Sequence, residues 1–437
     1  MKKVTLLLAV LTLMLVIFAS CSSEPKDEPA QPVEEPENEF VEVESLRLSA
    51  RQKQVASIAN DPAIAMLIEA EKHQLWNIGS EELVKDGNIL LSPMSLSAAM
   101  AMIANGANGE TRSQMLQVLW NGATLSEVNE LYAKLLDDGT RLDKDVTLNL
   151  ANSIWAKEDV AFKPDFVNAV SAYYLAPISH VNFALPEAKK SISKWCSDAT
   201  HGKITFSTED MHWDAMVIMA INALYFKGEW AQKFDAKLTA DAPFYSSLGE
   251  TQTVKMMQSK GHFKKCEDEK ACMVQLDYGK GKYYIDLIMP VGNTDIHSYL
   301  LDFNLAKLNQ MESELSAVGE RKLMLPRLSL SQSNELTRCL TAMGITDAFD
   351  NRADFSNMAT QADTDEDRVQ NISDVSQTIS IDFTEEGSEA AATTIVEWED
   401  SASGSASVVR FDHPFLFLLR ERESGAIILA GKVVTMR

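Results

Sequence analysis

The sequence predicts an α+β protein, with helices concentrated early in the folded region and strands late. Apolar residues repeat at helical spacing in the earlier part of the chain and alternate at every second position in the later part, and no strand–helix–strand rhythm links the two. The 437 residues are 46% hydrophobic and 24% charged, an ordinary globular composition that suffices for one large domain or two average ones.

Three helices are predicted early, over residues 67–76, 95–104 and 110–119. The second is dense in alanine and methionine and is therefore expected to be buried. Asn105-Gly106 and Asn108-Gly109 supply the turn between the second and the third helix.

Six strands are predicted over residues 146–155, 216–226, 283–289, 376–383, 414–419 and 426–434. Gly279 and Gly281, in the segment Tyr-Gly-Lys-Gly-Lys, lack the third glycine and the following helix of a phosphate-binding loop. They predict a hairpin turn instead.

The N-terminus has the pattern of an export signal. Lys2 and Lys3 precede an apolar run over residues 4–18, followed by Ala19, Ser20 and Cys21. The tetrad at 18–21 resembles a bacterial lipobox, although a phenylalanine replaces the usual leucine. We expect residues 1–20 to be removed and Cys21 to carry the lipid, which anchors the exported chain to a bacterial membrane, at the cell surface or in the periplasm. Ordinary secretion with cleavage near Cys21 is the alternative.

Residues 21–49 are rich in proline and glutamate, which predicts a semi-stiff acidic stalk ahead of a folded domain over 50–437. The net charge of the chain is −23. Such a charge repels phosphate backbones, so no nucleic-acid partner is expected, and a basic protein is the more natural electrostatic partner. The acidity could equally serve solubility alone.

No catalytic, metal or cofactor motif is present in the sequence. The seven histidines form no H-E-x-x-H, and no G-x-S-x-G appears. The Ser401–Ser405 segment has no base beside it and indicates a flexible loop. Beyond Cys21, the four cysteines are too few for a disulfide scaffold and fit no zinc spacing; Cys266 and Cys272 either pair or remain free. A non-enzyme without metal or cofactor is expected.

Several motifs, in order along nearly the whole chain after the stalk, resemble those of the serpin family. They are Asn-Ile-Leu-Leu-Ser-Pro-Met-Ser at 88–95, Lys194-Trp195 with Thr-His-Gly-Lys-Ile at 200–204, Asn-Ala-Leu-Tyr-Phe-Lys-Gly-Glu-Trp at 222–230, Leu325-Pro326, Ala348-Phe349 with Ala-Asp-Phe-Ser at 353–356, Glu-Glu-Gly-Ser-Glu-Ala-Ala-Ala-Thr-Thr at 385–394 and Val-Arg-Phe-Asp-His-Pro-Phe-Leu-Phe-Leu-Leu at 409–419.

The resemblance implies three β-sheets, about nine helices and an exposed reactive-centre loop. It also implies a monomeric suicide-substrate inhibitor of serine-type endopeptidases. The protease cleaves the loop, and insertion of the loop into the main sheet traps the acyl-enzyme. A non-inhibitory serpin, acting as a surface binding or chaperone module, is the alternative.

The hinge of that loop has the chemistry that insertion requires. Its residues are Glu385, Glu386, Gly387, Ser388, Glu389, Ala390, Ala391, Ala392, Thr393 and Thr394. A central strand must place small side chains towards the core at every second position, and positions 388, 390, 392 and 394 are all small. Gly387 allows the bend at which insertion begins, and no proline occurs over 387–402. The pattern favours an inhibitory hinge.

The resemblance also assigns five residues to the region where the main sheet opens: Ser92, Ser95, Asn222, Trp230 and Gln377. The family usually has a histidine at position 377. Because glutamine both donates and accepts, Gln377 is expected to bond Asn222 and the hydroxyls of Ser92 and Ser95.

The resemblance to serpins implies a cleaved bond at Ser401–Ala402 when positions are counted from the hinge as in the family, whereas counting back from Pro414 places it after Ser403. A small side chain before the bond predicts an elastase-like target, and the acidic residues Glu397, Glu399 and Asp400 favour a basic one. Cleavage after Asp400 would indicate an acid-preferring protease. Trp398 lies on the inserting register, so it is expected at the far end of the sheet; cleavage there would indicate a chymotrypsin-like enzyme.

Overall fold

The computed structural model describes residues 43–76, 87–203, 213, 216–247, 249–359, 371–372, 375–388 and 407–436. These residues belong to one compact unit, Val41–Arg437. The predicted lipidation site Cys21, the hinge positions 389–394 and the candidate cleavage positions 400–403 lie outside the described residues.

Ten α-helices are present in the described ranges. They are α1 (Ala50–Ile58), α2 (Asn60–Trp76), α3 (Pro93–Ala104), α4 (Gly109–Trp120), α5 (Leu125–Asp137), α6 (Pro164–Tyr174), α7 (Pro186–Ala199), α8 (Ile296–Leu301), α9 (Leu305–Ser313) and α10 (Thr337–Met343). Capping boxes at Ser49 and Thr124 begin α1 and α5, and a proline begins α3, α6 and α7. Among the described helices, none combines the length and the hydropathy that a membrane-spanning helix requires.

Sixteen strands make up the sheets of the described residues. They are β1 (Ile89–Leu91), β2 (Val146–Ala156), β3 (Ile178–His180), β4 (Ile218–Glu229), β5 (Ala240–Tyr245), β6 (Thr251–Gly261), β7 (Lys264–Glu267), β8 (Ala271–Tyr278), β9 (Tyr283–Pro290), β10 (Arg321–Pro326), β11 (Leu328–Glu335), β12 (Ser376–Phe383), β13 (Gly387–Ser388), β14 (Ser407–Arg410), β15 (Phe415–Glu421) and β16 (Ile427–Val433).

These strands form three sheets. One has six strands in the order β1-β16-β15-β9-β8-β7, and a second has four in the order β14-β10-β6-β5. The third, which we call the main sheet, consists of two ladders side by side, β11-β12 and β13-β4-β2-β3. Helices α6 and α7 alternate with strands β2, β3 and β4, but elsewhere helices come early in the chain and mostly antiparallel strands come late. The predicted α+β class with three sheets is therefore confirmed.

Most predicted elements are present, with shifted ends. Helix α3 is buried along nearly all its length, as its alanine and methionine content indicated. The turn at Gly279 and Gly281 joins β8 to β9, and both glycines have left-handed φ angles, +47° and +80°. Leu46 and Leu48, just before the predicted domain boundary, are buried in the core.

Strand register decides whether Cys266 and Cys272 can form a disulfide. Cys266 and Cys272 are both buried free thiols on the paired strands β7 and β8. Cys266 lies opposite Met273, whereas Cys272 lies opposite Glu267, so the two thiols point to opposite faces of the sheet. A disulfide between them is therefore excluded by register.

Candidate functional site

The main sheet is discontinuous between β12 and β4. Within the described ranges, β11 and β12 form a two-stranded ladder of their own, and no ladder joins β12 to β4. The narrow gap between them is lined by Leu224–Phe226 on one side and Ser380–Asp382 on the other. Thr200 and Lys203, just after α7, close the gap, and Lys203 reaches Asp382 across it at 3.6 Å.

The predicted hinge begins in this gap. After β12 the chain turns back at residues 384–386, where the amide of Thr384 donates to the carbonyl of Gly387. Gly387 and Ser388 then pair antiparallel with Glu229 and Gly228 of β4. Because β13 runs antiparallel to β4 and reverses the direction of β12, β4 and β12 run parallel. A strand continuing from β13 would be antiparallel to both neighbours.

Gly387 lies where backbone meets backbone. A β-carbon at this position would be 2.0 Å from the carbonyl oxygen of Gly228 and 2.7 Å from the Cα atom of Glu229. Backbone atoms cannot yield as a flexible side chain does, so no residue with a side chain fits here. The glycine that sequence reasoning assigned to a bend is required by this close approach.

Trp230 anchors the turn. Its indole nitrogen donates to the carbonyl of Thr384 at 2.8 Å, and its backbone amide donates to the carbonyl of Glu386 at 2.8 Å. The indole stacks on Tyr278 with ring centroids 4.4 Å apart. The hydroxyls of Tyr278 and the buried Ser388 are hydrogen-bonded at 2.7 Å. Burial raises the pKa of Tyr278 well above its usual value, so this hydroxyl remains neutral.

Two ion pairs hold the acidic residues of the turn. Glu385 is only 5% exposed, and it accepts from Arg327 at 2.7–2.9 Å and from Thr239 at 2.5 Å. Burial alone would raise the pKa of Glu385, but these hydrogen bonds outweigh it and lower the pKa below its usual value. Glu386 pairs with Lys233 at 2.7 Å, which raises the pKa of that lysine. Both hinge carboxylates are thus held in ion pairs, Glu385 with Arg327 and Glu386 with Lys233.

A polar chain crosses the middle of the main sheet beneath the gap. The hydroxyl of Ser95 donates to Asn222, whose amide donates to the side chain of Asn152 on β2 at 2.7 Å. Asn152 in turn donates to the carbonyl of Tyr174 at 3.0 Å. The hydroxyl of Ser92 caps α3 and donates to the carbonyl of Ile428 at 2.8 Å. These contacts connect β4 to α3 and α6.

Gln377 makes different contacts from those expected. Its side-chain oxygen accepts from the amide of Ser92, and its side-chain nitrogen donates to the Ser92 carbonyl, both at 2.9 Å. The expected bonds to Asn222 and to the serine hydroxyls are therefore replaced by a two-point contact with backbone. The reason is geometric, because those hydroxyls already have partners and the Ser92 backbone faces β12.

Of the five residues assigned to the opening of the sheet, Ser92, Ser95, Asn222 and Gln377 are linked by hydrogen bonds, whereas Trp230 lies at the hinge turn. Sequence reasoning missed several residues that bind these residues or the hinge. The missed residues that bind a predicted one are Tyr278, Arg327, Thr239, Lys233 and Asn152. Asn152 was detectable as an amide in the middle of a predicted strand. The others come from distant segments with no local signal. No group of three or more His, Cys, Asp or Glu side chains in the described part of the chain is arranged to hold a metal ion.

Comparison with known proteins agrees with this geometry. The family described as Serpin (serine protease inhibitor) matches residues 76–436. The chain is 32% identical to the leukocyte elastase inhibitor of Bos taurus over 79% of this chain and 93% of that protein. It is 30% identical to an uncharacterized serpin-like protein of Methanosarcina acetivorans over 79% and 81% of the two chains. Among solved structures, tengpin, a thermophilic serpin in the native state, superposes with a TM-score of 0.76 at 25% identity, covering 89% of this chain and 95% of tengpin. The chain therefore belongs to the serpin family.

Proposed function

We propose that the chain is a suicide-substrate inhibitor of serine-type, elastase-like endopeptidases, which traps the acyl-enzyme by inserting its cleaved loop into the main sheet. The observation that carries this proposal is the antiparallel pairing of Gly387 and Ser388 with β4 in the gap beside β12. The pairing supports insertion because the hinge already has the position and direction that an added strand needs. In this role the chain is a substrate, not a catalyst.

The pairing on β4 also predicts a register for the remaining hinge once it is inserted. Ser388 lies opposite Gly228, so the same ladder continued by one residue at a time would place Ala390 opposite Phe226 and Ala392 opposite Leu224. Phe226 and Leu224 are buried and belong to the main core. Alanines at these two positions would enter the core without displacing it, which supports the small-residue pattern as an adaptation to insertion.

The register on the other side leads to the same conclusion. The turn pairs Thr384 with Gly387, so continuing it along β12 would place Thr394 opposite Gln377. Along β4 the same threonine would lie opposite Asn222. The inserted strand would thus pass between the two polar residues at the middle of the sheet. Trp398 would lie opposite Ile218, the first residue of β4, which agrees with its expected place at the far end.

The elastase-like target is supported by two observations. The residue expected before the cleaved bond, Ser401, has a small side chain. Several relatives carry the name leukocyte elastase inhibitor, among them the Bos taurus protein. We further propose that the chain is exported and anchored to a bacterial membrane through a lipid on Cys21, so that it meets its protease outside the cytoplasm.

The test is to mix residues 22–437 with an elastase and to analyse the products by denaturing electrophoresis and mass spectrometry. A covalent complex of summed mass, with a released C-terminal peptide that begins at Ala402, is expected. A peptide beginning at Ser401 or Gly404 would move the bond to the position after Asp400 or Ser403. Clean cleavage without a complex, by elastase-, chymotrypsin- and glutamyl-specific proteases alike, would contradict inhibition and favour a non-inhibitory binding role.

A further inference from the structure

We propose that the outer face of the β14-β10-β6-β5 sheet is a second contact surface for the protease, and that it selects enzymes whose surface beside the primed subsites is acidic. This proposal rests on the proposed function, because it requires a protease bound at the loop. The surface, which we call the basic patch, consists of Lys260, Lys322, Val408 and Arg410.

Strand register brings the four residues of the basic patch to one face. Lys322 on β10 lies directly opposite Lys260 on β6 and beside Val408 on β14. Arg410 lies two residues beyond Val408 and therefore on the same face. The intervening residues, such as Leu323 and Val409, are buried on the opposite, core-facing side. Register alone thus aligns two lysines, an exposed valine and an arginine.

The charges of the basic patch are only partly neutralised. Lys260 forms an ion pair with Glu320 at 3.2 Å. The carboxylate of Asp412 lies 3.9 Å from the guanidinium of Arg410. Among the described residues, Lys322 forms no ion pair with a carboxylate. Val408 is 55% exposed, which adds an apolar contact between the cations. The charge of the basic patch is thus opposite in sign to the net charge of the chain, −23.

The position of the basic patch relative to the loop identifies the partner. β14 begins at Ser407, five positions after Ala402, so the Cα atoms of these two residues are at most about 18 Å apart in a fully extended chain. A protease domain of about 230 residues has a radius of gyration of about 17 Å. An enzyme that holds the bond at 401–402 must therefore bring its primed side close to this sheet, where lysine and arginine attract carboxylates and repel lysines.

The chain therefore presents charges of opposite sign on the two sides of the expected cleaved bond. Glu397, Glu399 and Asp400 precede the expected cleaved bond, whereas the basic patch lies on the side that follows it. The loop thus favours basic surface on one side of the protease active site, and the patch favours acidic surface on the other. A second contact of this kind raises the rate of productive encounter without entering the catalytic cleft.

The experiment compares two forms of one elastase, with glutamates or with lysines introduced into the surface loops that flank its primed subsites. We measure the association rate and the stoichiometry of inhibition at low and high salt. Wild type is expected to associate faster with the glutamate form, and Lys322→Glu/Arg410→Glu is expected to reverse the order, with a change of roughly tenfold at low salt. The difference should shrink at high salt.

The matched control is Lys190→Glu/Lys194→Glu on α7, which changes the net charge equally at exposed positions. It should preserve the wild-type order. If wild type and both double variants show the same preference between the two forms of elastase in association rate, while covalent complexes still form, then the basic patch is not a contact surface and the proposed function stands. If wild type forms no covalent complex with either form of elastase, both proposals are wrong.

Discussion

Gly387 is the residue on which docking of the hinge depends. Because a β-carbon there would lie 2.0 Å from the carbonyl oxygen of Gly228, Gly387→Ala is expected to break the pairing of β13 with β4. Backbone amide exchange at positions 387–388 should then rise at least tenfold, and more inhibitor should be cleaved without forming a complex. Gly139→Ala is the control, since its nearest neighbour would be a tyrosine hydroxyl 4.0 Å away. Unchanged exchange in Gly387→Ala would contradict the steric argument.

Asp286 provides a pH test of the fold at the residue scale. It is fully buried on β9, and burial raises its pKa to about 7 although the Arg420 guanidinium 3.7 Å away opposes the shift. The unfolded chain ionises this carboxyl near pH 4, so its contribution to stability is complete below that pH and is lost as the pH rises to about 7.

Asp286→Asn should remove this dependence. Between pH 4 and pH 7 the free energy of unfolding of the variant, relative to that of wild type, is expected to increase by about 1.4 kcal/mol per pH unit. Urea unfolding at a series of pH values measures the difference, with exposed Asp241→Asn as control. A constant difference across that range would show that Asp286 is ionised throughout.

At the scale of elements, the sequence predicts what is local and misses what is paired across distance. The hairpin at Gly279 and the buried helix α3 follow from neighbouring residues alone. Strand β4 is predicted to end at residue 226, yet it continues to Glu229 because β2 pairs with it as far as Gly228 and β13 pairs with Gly228 and Glu229. The contact of Gln377 with the Ser92 backbone joins residues 285 positions apart, which no local pattern encodes.

A substitution in the hinge is the most direct test of the proposed insertion mechanism. Ala390→Arg should turn the inhibitor into a substrate, because the register of β13 would bring the guanidinium between Phe226 and Ile381, both of which are buried. Burying an unpaired charge costs several kcal/mol, enough for hydrolysis to outrun insertion. Ala391→Arg is the matched control, since the adjacent position faces the opposite side of the sheet. Retained inhibition by Ala390→Arg, measured as moles of inhibitor consumed per mole of elastase, would exclude insertion in this register.

At the scale of the whole molecule, the predicted stalk and the proposed inhibitory loop lie at opposite ends of the sequence. In the sequence, the predicted acidic stalk over 21–49 precedes the body. The proposed reactive-centre loop and β14, which carries Val408 and Arg410 of the basic patch, lie near the C-terminus. Within the body, the buried Leu46 and Leu48 tie the end of the predicted stalk to the core. The folded body therefore begins before the predicted boundary at residue 50.

The proposed lipid anchor determines whether the protein resides on the membrane. A lipid on Cys21 should hold the chain in a detergent-requiring membrane fraction, because each buried methylene contributes about 0.8 kcal/mol and several acyl chains act together. Cys21→Ala is expected to move nearly all the protein to the periplasm or the medium without changing its rate of elastase inhibition. Cys196→Ala, at a buried thiol far from the signal, is the control and should leave the chain on the membrane. Membrane retention of Cys21→Ala would mean that another segment provides the attachment, whereas a soluble wild type would mean ordinary secretion.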